Sequence, residues 1–210
     1  GRAKLKVENK NYVFANAFVD ELAKSGVRHC CICPGSRSSP LSISFGRVEA
    51  IKKWVHLDER SAAFYALGIS KLLGEPVALV CSSGTATANF LAGAVEATHS
   101  NVPLLILTAD RPPELQDWGA LQTIDQSSIY GRHVKWSVNI PAPEISKSMI
   151  SYIRAMANRA VSTSMGSPRG PVHFNFPFRD PLEPAEIAED IELYASSSDN
   201  EIFSGRNSGR

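Results

Sequence analysis

Nothing in this 210-residue chain approaches the ~18 consecutive apolar residues that a membrane span requires. The opening "GRAKLKVENK" also lacks the apolar core of a secretion signal. An excess of one charge is missing too. Lys plus Arg total 22 and Asp plus Glu 21, leaving +1, so no global field draws the chain to nucleic acid or to a membrane surface. Cysteine is scarce at four: Cys30, Cys31, Cys33 and Cys81. Neighbouring strand residues point to opposite faces, and no His/Cys pair at zinc spacing answers them. They read as small, buried strand residues of a protein kept in a reducing compartment, with no bound metal. Two phosphate and acyl-transfer signatures are absent as well. "SSGTATAN" (82–89) lacks the Gly-Lys-Ser/Thr of a P-loop, and it is not the Gly-x-Ser-x-Gly elbow of hydrolases.

What is present belongs to a folded domain. Hydrophobic content is 43% and charged content 20%, ordinary for a globular chain of this length and unlike a disordered one. Aliphatic runs recur at 28–33, 54–57, 77–82, 104–109, 133–138 and 171–176, each followed by a turn. Helical patterning separates most of them. The segment 12–25 carries Val13, Phe14, Ala17, Phe18 and Leu22 on one stripe and stops at Gly26; 59–74, 85–100 and 143–164 complete the set. Continuous apolar strands alternating with helices predict an α/β fold, a mainly parallel central sheet covered on both faces in three layers. Beyond Leu182 the chain turns acidic and then rich in Ser, Asn and Gly. The expected division is a folded domain over 1–182 and a linker or tail over 183–210.

In open parallel sheets, ligands bind beyond the carboxyl ends of the strands, and this is where the unusual residues fall. Strand 28–33 is followed by Gly35, Ser36 and Arg37, and strand 54–57 by Asp58, Glu59 and Arg60. Strand 77–82 runs into Ser83, Gly84 and Thr85, and strand 104–109 into Asp110, Arg111 and two prolines, with Gln122 beyond. Gly35 allows close backbone approach, Ser36, Ser38 and Ser39 can cap a helix, and Arg37 offers a planar fork for carboxylate or phosphate. Equally, that stretch reads as a plain cap beside a solvated arginine. Glu59 in a first helical turn is ordinarily a dipole partner. Its small neighbours Ser61, Ala62, Ala63, Ala66 and Gly68 permit close approach of another helix or subunit, and burial there would suit the carboxylate to proton work. The five histidines are scattered and read as structural.

Taken together, "GVRHCCICPGSRSSPL", "DERSAAF", "PVALVCSSGTATAN", "PLLILTADRPPEL" and "PVHFNFPFRDPL" resemble, in order from about residue 12 to 182, the N-terminal region of the MenD family of menaquinone and phylloquinone biosynthesis. The resemblance implies the pyrimidine-binding (PYR) module of a thiamine diphosphate enzyme. Such enzymes decarboxylate 2-oxoglutarate and add the succinyl carbanion equivalent to isochorismate. It makes Glu59 the catalytic carboxylate that hydrogen-bonds the cofactor's aminopyrimidine. Ser83, Gly84 and Thr85 become cofactor-side residues, and Ser36, Arg37, Arg111 and Gln122 substrate-side residues. It further implies a cytoplasmic or plastid enzyme, homodimeric or homotetrameric.

This chain departs from the family in two ways. Where the family usually reads Gly-Ala-Asn-Gln, it has Gly119-Ala120-Leu121-Gln122, losing a polar side chain at a proposed isochorismate contact. The family's diphosphate-binding domain, with its Gly-Asp-Gly motif and downstream Asn for Mg2+, is not within these residues. The resemblance therefore implies half a site and a fragment silent in isolation. Two alternatives are the PYR domain of another 2-oxoacid-processing thiamine diphosphate enzyme, and a non-catalytic module binding an anion or a partner chain.

Overall fold

Capping and burial explain where the helices lie. In the computed structural model, which describes residues 7–197 and 201–205, helix α1 (Lys10–Lys24) starts at Asn9, whose side chain accepts from the Asn11 N–H. It buries Phe14, Phe18 and Leu22 completely, each contributing roughly 1.5–3 kcal/mol. Strand β1 (His29–Ile32) leads through a 3-10 turn at Ser36–Ser38 into α2 (Ser39–Arg47). After β2 (Lys52–Val55), α3 (Glu59–Leu73) is capped by Asp58, which accepts from the Ser61 N–H, and ends at Gly74 in the left-handed region. Strand β3 (Val77–Cys81) is followed by two helices rather than the single one expected over 85–100. These are α4 (Thr85–Asn89) and α5 (Leu91–His99), which meet at the buried Phe90. There the Asn89 carboxamide donates to the Thr85 carbonyl, competing with the helix ladder.

Strand β4 (Leu104–Asp110) precedes a long irregular segment that ends at β5 (Trp136–Asn139). Helix α6 (Lys147–Met165), β6 (Val172–Pro177), α7 (Ala188–Ser197) and α8 (Glu201–Ser204) follow. The six strands form one sheet in the order β2-β1-β3-β4-β6-β5, and every pairing is parallel. The expected α/β class, parallel sheet and three layers are what is found. Strand boundaries slip most at the two edges: β2 covers 52–55 rather than 54–57, and β5 136–139 rather than 133–138. An edge strand pairs on one side only and its side chains are less committed to the core: Val55 is half-exposed or more, and Leu57 lies beyond the strand in solvent.

Side-chain alternation divides the core in two. Cys30, Ala78, Val80, Leu105, Leu107 and Phe174 face α1, α2 and α6. Cys31, Val77, Leu79, Cys81, Leu104 and Ile106 face α3 and α5. All four cysteines are buried and free, and Cys30 and Cys31 lie in different halves, as strand alternation requires. The small face of α3 packs within the chain: Ala62, Ala63 and Ala66 are fully buried, and a Cβ on Gly93 of α5 would sit 2.6 Å from the Ala63 Cβ.

Over β6 and the C-terminal end of β4 the irregular segment covers the second face, and the core there is polar. His173 is fully buried between the Thr108 hydroxyl (2.8 Å) and the Ser137 hydroxyl (3.2 Å), with the Tyr130 ring against it edge-on. Burial holds its imidazole down at about 3, so it is neutral in the fold.

The expected linker is ordered through its described part. The Asn9 carboxamide donates to the Glu183 and Ala185 carbonyls (3.2 and 2.9 Å), and the Lys10 N–H donates to the Asp190 carboxylate (2.9 Å). Arg154 donates to the Ile202 and Phe203 carbonyls, and Phe203 is buried. Residues 198–200 and 206–210 of that stretch lie outside the described residues.

Two outcomes follow from this packing. A Cβ on Gly35 would sit 2.4 Å from the Ser82 Cβ, so Gly35→Ala should lose about 1–3 kcal/mol in denaturant titration. Adding Ser82→Gly should restore part of that loss; no restoration would place the strain elsewhere. For His173, the unfolded imidazole takes up a proton near pH 6.5, whereas the folded one does so only near 3. Stability should fall as pH drops through that window, by up to about 1.4 kcal/mol per pH unit. Burial of Asp110, which raises its carboxyl, acts in the opposite sense in both wild type and variant. The His173→Gln variant should show the shallower pH dependence; parallel curves would count against a neutral, buried imidazole.

Candidate active site

Parallel pairing places the ends of β1, β3 and β4 side by side, and the candidate residues emerge there. Glu59 opens α3, where the positive end of the helix favours a carboxylate. Its side chain is half-buried, and among the described residues no hydrogen bond or ion pair reaches it. It stands close to two buried thiols. Burial pushes Cys33 up to about 12, with the Glu59 charge the next contributor. Cys81 is also pushed up, chiefly by burial, with Glu59 among the smaller causes. Glu59 therefore lies within electrostatic reach of the ends of β1 and β3.

A second group gathers at the ends of β3 and β4. Arg111 donates through Nη1 to the Ser83 hydroxyl and to the Gln122 carbonyl (2.9 Å). Gln122, at φ 56°, donates from Nε2 to the Ser83 carbonyl (2.9 Å). Gly84, at φ 80°, could not carry a side chain, because a Cβ would meet the Gln122 Cγ at 2.8 Å. Arg37 belongs to this group electrostatically: burial lowers the Arg111 guanidinium from its usual value, and the charge of Arg37 lowers it further.

Several sequence-based alternatives are now decided. Arg37 is not a solvated arginine beside a plain cap. It is buried and donates to the Phe178 carbonyl (2.9 Å), with the Asp180 carboxylate at 3.6 Å and its own Nε unpartnered. The serines do not cap α2 through their side chains. The Ser38 hydroxyl donates back to the Gly35 carbonyl (3.0 Å), while Ser36 is exposed. In the 83–85 loop Ser83 and Gly84 are buried, and the Gly84 N–H donates to the Gln126 Oε1 (2.8 Å). Of the three loop residues only Thr85 is exposed.

The structure also brings in residues that pattern alone did not single out. Asp110 is buried. It accepts from the Arg111 N–H (2.7 Å), the Asn175 Nδ2 (2.8 Å) and the Gln116 Nε2 (3.3 Å), and burial raises its carboxyl despite these bonds. Asp110, Arg111, Gln116, Gln126, Asn139 and Asn175 are among the residues lining a cleft of about 380 Å³ beyond β4, β6 and β5. A groove of similar volume between α1, α2 and α6 lies away from these strand ends. Gln126 lies four residues after Gln122 in an irregular segment, where no periodicity marks it beforehand.

The chain has close counterparts among known sequences. Residues 13–129 match the family described as thiamine pyrophosphate enzyme, N-terminal TPP binding domain. Among curated proteins, the 2-succinyl-5-enolpyruvyl-6-hydroxy-3-cyclohexene-1-carboxylate synthase of Geobacillus kaustophilus is 54% identical over 172 residues, 82% of this chain and 30% of the relative. The proteins of the same name from Haloquadratum walsbyi and Geobacillus thermodenitrificans are each 49% identical, over 187 and 196 residues. They match 89% and 92% of this chain but 30% and 33% of their own lengths, so the chain spans about a third or less of these relatives. Among the described residues no helix is long and apolar enough to cross a membrane. With a parallel sheet whose edge carries Glu59, and a match over residues 13–129, this chain belongs to the thiamine pyrophosphate enzyme family and carries its N-terminal TPP-binding domain.

Proposed function

We propose that this chain supplies the pyrimidine-side half of the active site in a synthase that decarboxylates 2-oxoglutarate and joins the resulting succinyl unit to isochorismate. One observation carries the reading. Glu59 is a half-buried carboxylate with no protein partner among the described residues, held at the strand ends beside Cys33 and Cys81. A carboxylate left without a partner in such a place fits a ligand that presents a ring N–H to it. The names of the relatives support the substrates.

Thiamine diphosphate would supply the carbanion-stabilising chemistry, and the protein supplies binding, orientation and electrostatics. Glu59 would hold a proton against the pyrimidine ring nitrogen, and the adjoining thiols, pushed up by burial, would not compete as anions. Arg111 would orient a substrate carboxylate, since its five donors exceed the two acceptors it reaches here. Arg37, buried with Nε unpartnered, would add positive field and one further donor. Ser36 and Thr85 would lie at the exposed margin, and the exposed Leu121 would present an apolar surface to the acceptor substrate.

Among the described residues no group of three or more His, Cys, Asp and Glu side chains could hold a metal. As the family resemblance implies, Mg2+ and the diphosphate would be held by a part of the protein outside this chain, in a homodimer or homotetramer of the cytoplasm or a plastid. Residues 183–210 would lead toward that part. The isolated chain would then be inactive.

In the full-length synthase, Glu59→Gln should cut turnover by about 10²–10⁴-fold without loss of folded structure. Unchanged turnover would reject the assignment of Glu59. Arg111→Ala should raise KM for 2-oxoglutarate or isochorismate by roughly 10–100-fold, as loss of a charged hydrogen bond allows. If neither KM moves, a different pair of substrates is indicated.

A further inference from the structure

The peptide group between Ser83 and Gly84 is gripped at both ends by two glutamines of the irregular segment after β4. Gln122 Nε2 donates to its carbonyl (2.9 Å), and Gln126 Oε1 accepts from its N–H (2.8 Å). Gln126 is only 1% exposed, and its carboxamide has no capacity pointed at solvent. Its Nε2 donates to the Ala109 carbonyl (3.1 Å) and to the Asn175 Oδ1 (2.8 Å). Asn175 in turn accepts from the Thr108 hydroxyl (2.7 Å) and donates to the Asp110 Oδ2 (2.8 Å). One carboxamide thus ties a peptide at the end of β3 to the backbone of β4 and the side chains of β6.

The chemistry of that position is restrictive. It needs one acceptor and two donors in a single plane, which a carboxamide has and a carboxylate, ammonium or thioether lacks. The grip also has a direction. It turns the Gly84 N–H inward, at a backbone conformation (φ 80°, ψ −141°) that favours glycine, and so leaves the Ser83 carbonyl to Gln122. Ser83 is then fixed with its hydroxyl under the Arg111 guanidinium, whose other contact is the carbonyl of Gln122 itself.

We propose that Gln126 is a positioning residue: by holding the Gly84 N–H it sets the plane of the Ser83–Gly84 peptide, and through Ser83 and Gln122 it aims Arg111 at the ligand. The consequence for substrate rests on the function proposed above; the grip on the peptide does not. Gln126 touches no ligand in this scheme, and its effect reaches the site only through the loop.

Two measurements separate these levels. In the 15N-labelled chain, Gln126→Met should speed hydrogen exchange at the Gly84 amide about tenfold, the equivalent of one lost hydrogen bond, while the amides of Val80 and Leu107 keep their rates. In the full-length synthase, the same substitution should raise KM for the substrate carboxylate that Arg111 engages. Gln126→Glu provides the rescue. Protonated, its carboxyl regains one acceptor and one donor, so its KM defect should shrink as pH is lowered, whereas that of Gln126→Met should not.

Wild-type exchange at Gly84 in Gln126→Met would overturn the grip. Faster exchange with both KM values unchanged would reduce Gln126 to a structural residue and overturn the positioning role. If the methionine variant does not fold, the pH dependence of Gln126→Glu decides the matter, and a pH-independent KM defect there counts against the proposal. Failure of the functional reading looks different: Glu59→Gln would leave turnover intact, while Gly84 exchange would still respond to Gln126.

Discussion

Parallel alignment of β1, β3 and β4 is the constraint on which the site depends. A parallel sheet sends every strand off the same edge, so segments far apart in the chain emerge side by side there. Gly35 lies against Ser82 so closely that neither loop could hold its path with a larger residue at 35. Ser83 then falls within reach of Arg111, and the carboxylate of Glu59 comes beside Cys33 and Cys81. None of these neighbours is close in sequence.

Covering the sheet imposes a second constraint. On one face α1, α2 and α6 pack with apolar side chains and need nothing more specific than complementary shape. On the other, α3 and α5 reach only part of the sheet, and the segment between β4 and β5 covers β6 and the C-terminal end of β4 with irregular backbone. Irregular backbone carries unpaired amides and carbonyls, which must be satisfied if they are buried. The segment also carries Gln126 into a connected polar core with Asn175, Asp110, Thr108 and His173. Being directional, it also transmits position: the groups that satisfy the interior are those that hold the 83–84 peptide and flank Arg111.

Charge is arranged unevenly along the edge. Toward β1 and β2 stands a carboxylate without a protein partner; toward β4 stand two guanidinium groups near enough for one to lower the other. Holding like charges together costs free energy that an anionic ligand would relieve. The separation keeps Glu59 from being neutralised by an arginine of its own chain, since no ion pair reaches it among the described residues.

The amino-acid sequence by itself determined the layered architecture and the edge at which the polar candidates gather. Continuous apolar strands, helical stripes between them and polar residues placed after each strand are local signals, and local signals suffice for them. The first helix nevertheless starts two residues earlier than the expected 12, capped by Asn9. The same signals drew attention to Glu59, Ser83 and Arg111, while the roles given to them and to Gln122 came from the family resemblance. Only the tertiary structure decided what each polar group faces. Arg37 read either as a fork for an anion or as a solvated residue because its partner, the Phe178 carbonyl, lies 141 residues away. The bond from the Gly84 amide was not legible because Gln126 meets it from a segment without periodicity. A hydrogen bond between distant residues leaves no trace in the spacing of either one, so it becomes legible only when the sheet has brought them together.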